Sequence, residues 1–207
     1  MDMMNIAIIR EKKGITLVEL VVVMSIIAIL AAIGVPEYGR FAAKSSVRRA
    51  ASDLLQNMRL ARTMAIKENR TYLITFNESS SSENIYRIGF DGNGNGSLLD
   101  TADGYGNTTT AKVINIQNEY GNDVVLDTGN FAIVPPNNPD GNAISNAINF
   151  NFLPDGSANP SGTAYLQHIG RGYAFCVELV NAAGLIDLFM WEGDEDDTGN
   201  TGWTEIN

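Results

Sequence analysis

Two sets of residues in this chain have types and spacings that could do chemistry. The first is Gly14-Ile15 with Glu19. Glu19 is the only residue that ionises in the 21-residue apolar run from Ile15 to Val35. A carboxylate in such a run costs at least ~2.5 kcal/mol on membrane-insertion scales, so it is expected to have a function and a partner. If the chain is cut after Gly14, Glu19 becomes the fifth residue behind a free α-amino group on Ile15. The α-ammonium of a neighbouring copy would then neutralise it inside a helix-packed assembly. The second set is Asp91-Gly92-Asn93-Gly94-Asn95-Gly96, with oxygen side chains at alternate positions and glycine at the sixth. That resembles the first half of an EF-hand-type calcium loop, where glycine permits the sharp turn and hard oxygens suit Ca²⁺. Leu99 and Ala102 occupy the ninth and twelfth positions, so Asp100 or Asp103 would have to complete the ligand set. A metal-free Asn/Gly hairpin loop is the alternative. The acidic run Glu192-Gly193-Asp194-Glu195-Asp196-Asp197 reads either as a further calcium site or as a solvated turn.

Nothing else forms a catalytic constellation. There is no Cys/His metal cluster, no Gly-rich phosphate loop and no serine beside a plausible base. The single cysteine, Cys176, excludes an intrachain disulfide and sits in a strand-like stretch, as a buried inert thiol would. The single histidine, His168, reads as a structural strand residue.

The elements that must position Gly14 and Glu19 follow from hydropathy. At about 1.5 Å per residue, Ile15–Val35 as a helix spans roughly 30 Å, the hydrocarbon thickness of a bilayer. Arg10, Lys12 and Lys13 precede it, so the positive-inside bias keeps residues 1–14 cytoplasmic and sends the rest outward. A secretory signal peptide is excluded, because its apolar region would be shorter and its cleavage site would lie on the far side. One long helix is expected from residue 15 to about 68, kinked near Gly34-Val35-Pro36, where proline removes a backbone donor. Beyond Pro36, Val47, Ala51, Leu54, Met58, Ala61 and Ala65 form an amphipathic stripe suited to a sheet.

From residue 71 onward short β segments alternate with Gly, Asn, Asp and Pro punctuation. Strands are expected at 71–76, 85–90, 112–117, 123–126, 131–134, 148–153, 163–169, 173–180 and 185–191. Asn181-Ala182-Ala183-Gly184 joins the last two as a hairpin. A long helix laid on a largely antiparallel sheet is an α+β fold. The expected divisions are a leader (1–14), a membrane and assembly helix (15–36), an amphipathic helix (37–70) and a β-rich head (71–207).

Residues 12–38 resemble the N-terminus of type IV pilins and type II secretion pseudopilins. The matching features are the basic leader ending in Gly14, Thr16-Leu17-Val18-Glu19, the run from Ala28 to Ala32, and Pro36-Glu37-Tyr38. Ile15 departs from the usual Phe. The resemblance implies cleavage after Gly14 by a prepilin peptidase, N-methylation of Ile15 and an assembly role for Glu19. In the head, Ala61 to Ile74, Phe150–Leu153 with Pro154-Asp155-Gly156-Ser157, and Ile169-Gly170-Arg171-Gly172 resemble the H-type (GspH) minor subunits of type II secretion and the related FimT/FimU minor pilins. Glycine- and asparagine-rich insertions at 91–110 and 135–146 depart from a minimal head.

The resemblance implies a non-enzymatic, minor subunit of a secretion pseudopilus, with a FimT/FimU-like pilin of adhesion, motility or DNA uptake as the alternative. Its expected partners are other pilins or pseudopilins, the prepilin peptidase, an inner-membrane assembly platform and the bilayer itself through residues 15–35. The expected location is the bacterial inner membrane, with the head in the periplasm, and then the filament. Charge argues against DNA as a ligand of the head. Eight basic residues lie between Arg40 and Arg70, whereas 71–207 carries three basic against 18 acidic residues, a formal −15.

Overall fold

The computed structural model describes residues 14–78, 83–92, 94, 96–99, 109–126, 139, 149–191 and 202–206. The chain divides into two compact units, Met1–Arg40 and Phe41–Asn207. Helix α1 (Leu17–Glu68) begins in the first and supplies the second with its central element. It runs on through Gly34 and Pro36, where the missing proline N–H leaves one turn without its backbone bond. In the first unit the apolar side chains of α1 are exposed from Leu17 to Val35. This helix alone among the described residues is long and apolar enough to cross a membrane.

In the second unit the expected stripe is buried. Val47, Ala51, Leu54, Met58, Ala61 and Ala65 are inaccessible to solvent, and Ala43, Ser46, Ala50 and Asn57 join them. Full burial of Leu54 or Met58 is worth about 1.5–3 kcal/mol each.

The strands form two five-stranded sheets, with every pairing antiparallel. They are β1 (Tyr72–Phe76), β2 (Ile85–Phe90), β3 (Thr109–Asn115), β4 (Val124–Leu126), β5 (Asn149–Phe152), β6 (Ala158–Asn159), β7 (Gly162–His168), β8 (Ala174–Leu179), β9 (Ile186–Trp191) and β10 (Trp203–Glu205). The first sheet has the order β3-β2-β1-β5-β6 and the second β10-β9-β8-β7-β4. Ile74, Tyr86, Phe150 and Phe152 from the first sheet meet Leu166, Phe175, Val177 and Leu188 from the second and the α1 stripe in one hydrophobic cluster.

Two asparagines with positive φ, Asn77 and Asn84, bond to β4 in the other sheet. Asn77 Nδ2 donates to the Leu126 carbonyl, and the Leu126 N–H donates to Asn84 Oδ1. A small cluster lies outside this core, with Tyr165, Ala174, Cys176 and Trp191 buried against Phe189 and Trp203.

The expected strand at 112–117 is corrected at its end. Asn115 caps a short helix, α2 (Ile116–Tyr120), by accepting from the Asn118 N–H at 3.0 Å, so Ile116 and Gln117 are helical. The expected strand at 131–134 lies outside the described residues. The hairpin at 181–184 forms, pairing β8 with β9 and placing Gly184 at φ +77.

A polar bridge ties α1 to the first sheet. Asn57 Nδ2 donates to Tyr86 Oη at 2.7 Å, and Lys112 Nζ donates to Asn57 Oδ1 at 3.2 Å. Burial, first of all, holds the Tyr86 hydroxyl well above the usual phenol pKa. Tyr86→Phe would leave the buried Asn57 amide short of an acceptor, at a cost of about 1–3 kcal/mol. Denaturant unfolding of the full chain in detergent should show that loss, and an unchanged midpoint would mean that water satisfies Asn57.

Candidate processing and assembly site

Gly14, Ile15 and Thr16 precede α1 in non-helical, exposed backbone. Thr16 is the N-cap. Its Oγ1 accepts the Glu19 N–H at 3.2 Å, and its carbonyl accepts the Leu20 N–H at 3.1 Å. Glu19 therefore stands at the third helical position, where the exposed N–H groups of the first turn favour a negative charge. The capping role of Thr16 was not read from the sequence, although its signature is there: Thr-x-x-Glu immediately before an apolar run marks a helix start.

Three side chains between Ile15 and Val35 carry a polar group other than a thioether: Thr16, Glu19 and Ser25. Thr16 is used in the cap, and Ser25 Oγ donates to the Val21 carbonyl at 2.8 Å within the helix. The Glu19 carboxylate has no hydrogen bond or ion pair among the described residues. It is the one polar group of the run left without a partner among the described residues. Gly34 and Pro36 lie further along the same helix. Beyond them Glu37 and Arg40 form an exposed ion pair at 3.0 Å, a contact of little energetic weight.

The proposed calcium loop is only partly in view. Asp91 Oδ1 accepts the Gly94 N–H at 2.7 Å and Oδ2 accepts the Gly96 N–H at 2.9 Å, so both oxygens hold the loop's own backbone. Asn93, Asn95, Asp100 and Asp103 lie outside the described residues, as does the acidic run 192–197. Among the described residues no group of three or more His, Cys, Asp or Glu side chains is placed to hold a metal. His168 ends β7, with Nε2 4.0 Å from Asp123 Oδ2, and Cys176 is buried in β8.

Charge on the second unit is organised around α1. Asp187 on β9 has its carboxyl pKa raised, first by burial and then by Glu205 on β10, with Arg59 of α1 opposing both. Because the folded pKa lies above the unfolded one, this group favours folding most at low pH, and that advantage is lost as pH rises through the folded value. Asp187→Asn should therefore raise the melting temperature at neutral pH and give no gain once the carboxyl is protonated. Melting curves from pH 3 to pH 8 test this, and a gain independent of pH would contradict it.

The geometry is that of a pilin-like subunit: an apolar helix preceded by an exposed, non-helical glycine, its later half forming the core of a β-rich head. The sequence comparisons agree. The family described as type II transport protein GspH matches residues 50–184, more than half of the chain. The prokaryotic N-terminal methylation motif matches residues 9–35. The chain belongs to the GspH family.

A fimbrial protein of Pseudomonas aeruginosa is 36% identical over 81 residues, 39% of this chain and 50% of that protein. The type IV major alpha-pilin of Moraxella bovis is 38% identical over 76 residues, 37% of this chain and 47% of that one. The chain thus spans about half the length of the curated relatives it matches. Among solved structures, the minor pseudopilin EpsH from the type 2 secretion system of Vibrio cholerae aligns with 14% identity and a TM-score of 0.43, covering 70% of this chain and 97% of that one.

Proposed function

We propose that this chain is a minor pseudopilin, a structural subunit of a type II secretion pseudopilus. Residues 1–14 are its leader, removed after Gly14 by a prepilin peptidase that also methylates Ile15. Residues 15–36 hold the precursor in the inner membrane and later lie in the filament, with the bond lost at Pro36 and the adjacent Gly34 allowing α1 to bend. Residues 37–70 join the head, 71–207, which stands in the periplasm and offers the partner-specific surface. Other pseudopilins and an inner-membrane assembly platform are its partners.

The observation that carries this reading is the unsatisfied Glu19 carboxylate in the first turn of an otherwise self-satisfied apolar helix. Once buried in a bilayer or a filament, a carboxylate of that kind either pairs with a cation or gives up its charge by protonation. The cation that cleavage after Gly14 would itself create is the Ile15 α-ammonium of the next subunit. A second reading, a minor subunit of a type IV pilus like the FimT/FimU proteins, is favoured by the identity to a fimbrial protein and to a type IV major alpha-pilin.

Gly14→Asp separates processing from folding, because among the described residues nothing lies within 4 Å of a Cβ added there. Full-length precursor should accumulate in the membrane, and a product of normal length would refute the cut site. Glu19→Ala should insert and be cleaved, yet fall at least about tenfold in sheared filaments, the equivalent of one charge-assisted pair. Undiminished incorporation would remove Glu19 from assembly. Mass spectrometry of proteins crosslinked to the tagged subunit chooses between the systems: pseudopilins with a secretion platform, or an abundant major pilin.

A further inference from the structure

The exposed flank of α1 carries a preformed groove of about 450 Å³, walled on one side by Arg59, Arg62, Thr63 and Ile66 and on the other by Gly184 and Leu185 of the β8–β9 turn. Arg62 is fixed in place. Its Nε donates to the Gly156 carbonyl at 2.9 Å and its Nη2 to the Ala183 carbonyl at 2.7 Å. The approach is so close that a Cβ on Gly184 would sit 2.8 Å from Arg62 Nε, and the φ of +77 at that position also excludes most side chains. Arg59 is different. Its guanidinium is exposed and makes no hydrogen bond or ion pair among the described residues, feeling Asp187 only through space. Ile66 and Leu185, apolar and about half exposed, form the lips.

Two guanidinium groups, one rigidly held, between two apolar lips match a carboxylate flanked by apolar side chains. Planar guanidinium binds carboxylate through two parallel hydrogen bonds, so the site discriminates by geometry as well as by charge. We propose that this groove docks the acidic surface of an adjacent pilin-like subunit, an inference that rests on the reading of the chain as a filament subunit. An acidic head of the kind this chain itself carries, a formal −15 over residues 71–207, brings the required chemistry. The basic flank of one helix then meets the acidic head of its neighbour, in addition to whatever the N-terminal helices contribute.

The test uses the full-length protein in the cells that make it. A photoreactive benzoylphenylalanine replaces Leu185 at the groove or, as a control, Val113, exposed on edge strand β3. The Leu185 probe should crosslink to a second subunit bearing the N-terminal methylation motif, at an acid-rich peptide identified by mass spectrometry. Arg59→Gln and Arg59→Glu should each lower that yield about tenfold or more, the loss expected for one charge-assisted contact, without changing the yield from Val113. A yield unaffected by both variants, an adduct with lipid alone, or no protein adduct from subunits recovered in sheared filaments would overturn the groove as the contact. Absence of the wild-type chain from filaments would overturn the filament reading and this proposal together. Circular dichroism of the Arg59 variants confirms that they fold, as expected for an exposed residue.

Discussion

The structure depends on one face of one helix being shared by two sheets. Ala43, Ala50, Ala51, Ala61 and Ala65 occupy the buried face of α1, with Leu54 and Met58 the large side chains among them. The small residues leave room for the large inner-face side chains of the sheets, and Leu54 and Met58 fill the space between them at the density of a protein interior. Both sheets contribute inner-face residues to the same cluster, so a larger side chain in the stripe would strain contacts with both. The Asn57–Tyr86 hydrogen bond adds orientation to this packing. A stripe of alanines tolerates sliding, whereas a buried amide and hydroxyl are satisfied in one register only.

Much of this was legible in the sequence, for reasons that differ by element. The stripe from Val47 to Ala65 follows the helical period, and helical period is a local property. The hairpin at Asn181–Gly184 was equally local, with glycine supplying the positive φ that the turn demands. The division into two sheets was not legible. Strands β1 and β8 are buried along their whole length, so their burial does not alternate and gives no sign of which face meets the helix. β6 and β10 are two and three residues long, too short for any pattern to register. At α2 the alternation of Lys112 to Gln117 continues a strand on paper. The Asn115 cap turns the chain into a helix instead, and a polar side chain bonding to nearby backbone is the usual competitor of a strand.

The same distinction separates the two sites. Everything in the processing site lies within six residues, from Gly14 to Glu19, so its chemistry could be read directly from spacing. The cap by Thr16 is part of that local pattern, and the structure adds that it leaves the Glu19 carboxylate uncommitted. The groove at Arg62 joins residues 94 and 121 positions apart, and nothing in the helical pattern distinguishes Arg62 from the other basic residues around it. Only the fold shows that one arginine is tied into two turns while Arg59, one turn earlier, is not.

Charge gives this difference its consequence. An acidic head repels itself: burial does most to raise the Asp187 pKa, and the neighbouring Glu205 charge adds to it. The basic flank of α1 is the counter-charge that the chain supplies, and Arg59 partly offsets that repulsion within one molecule. Because Arg59 does so without closing an ion pair among the described residues, its hydrogen-bonding capacity is open to carboxylates from a second molecule. A guanidinium already locked to a carboxylate would have to break that pair to bind another. One acting only through space can satisfy a second molecule while retaining its long-range effect on the first.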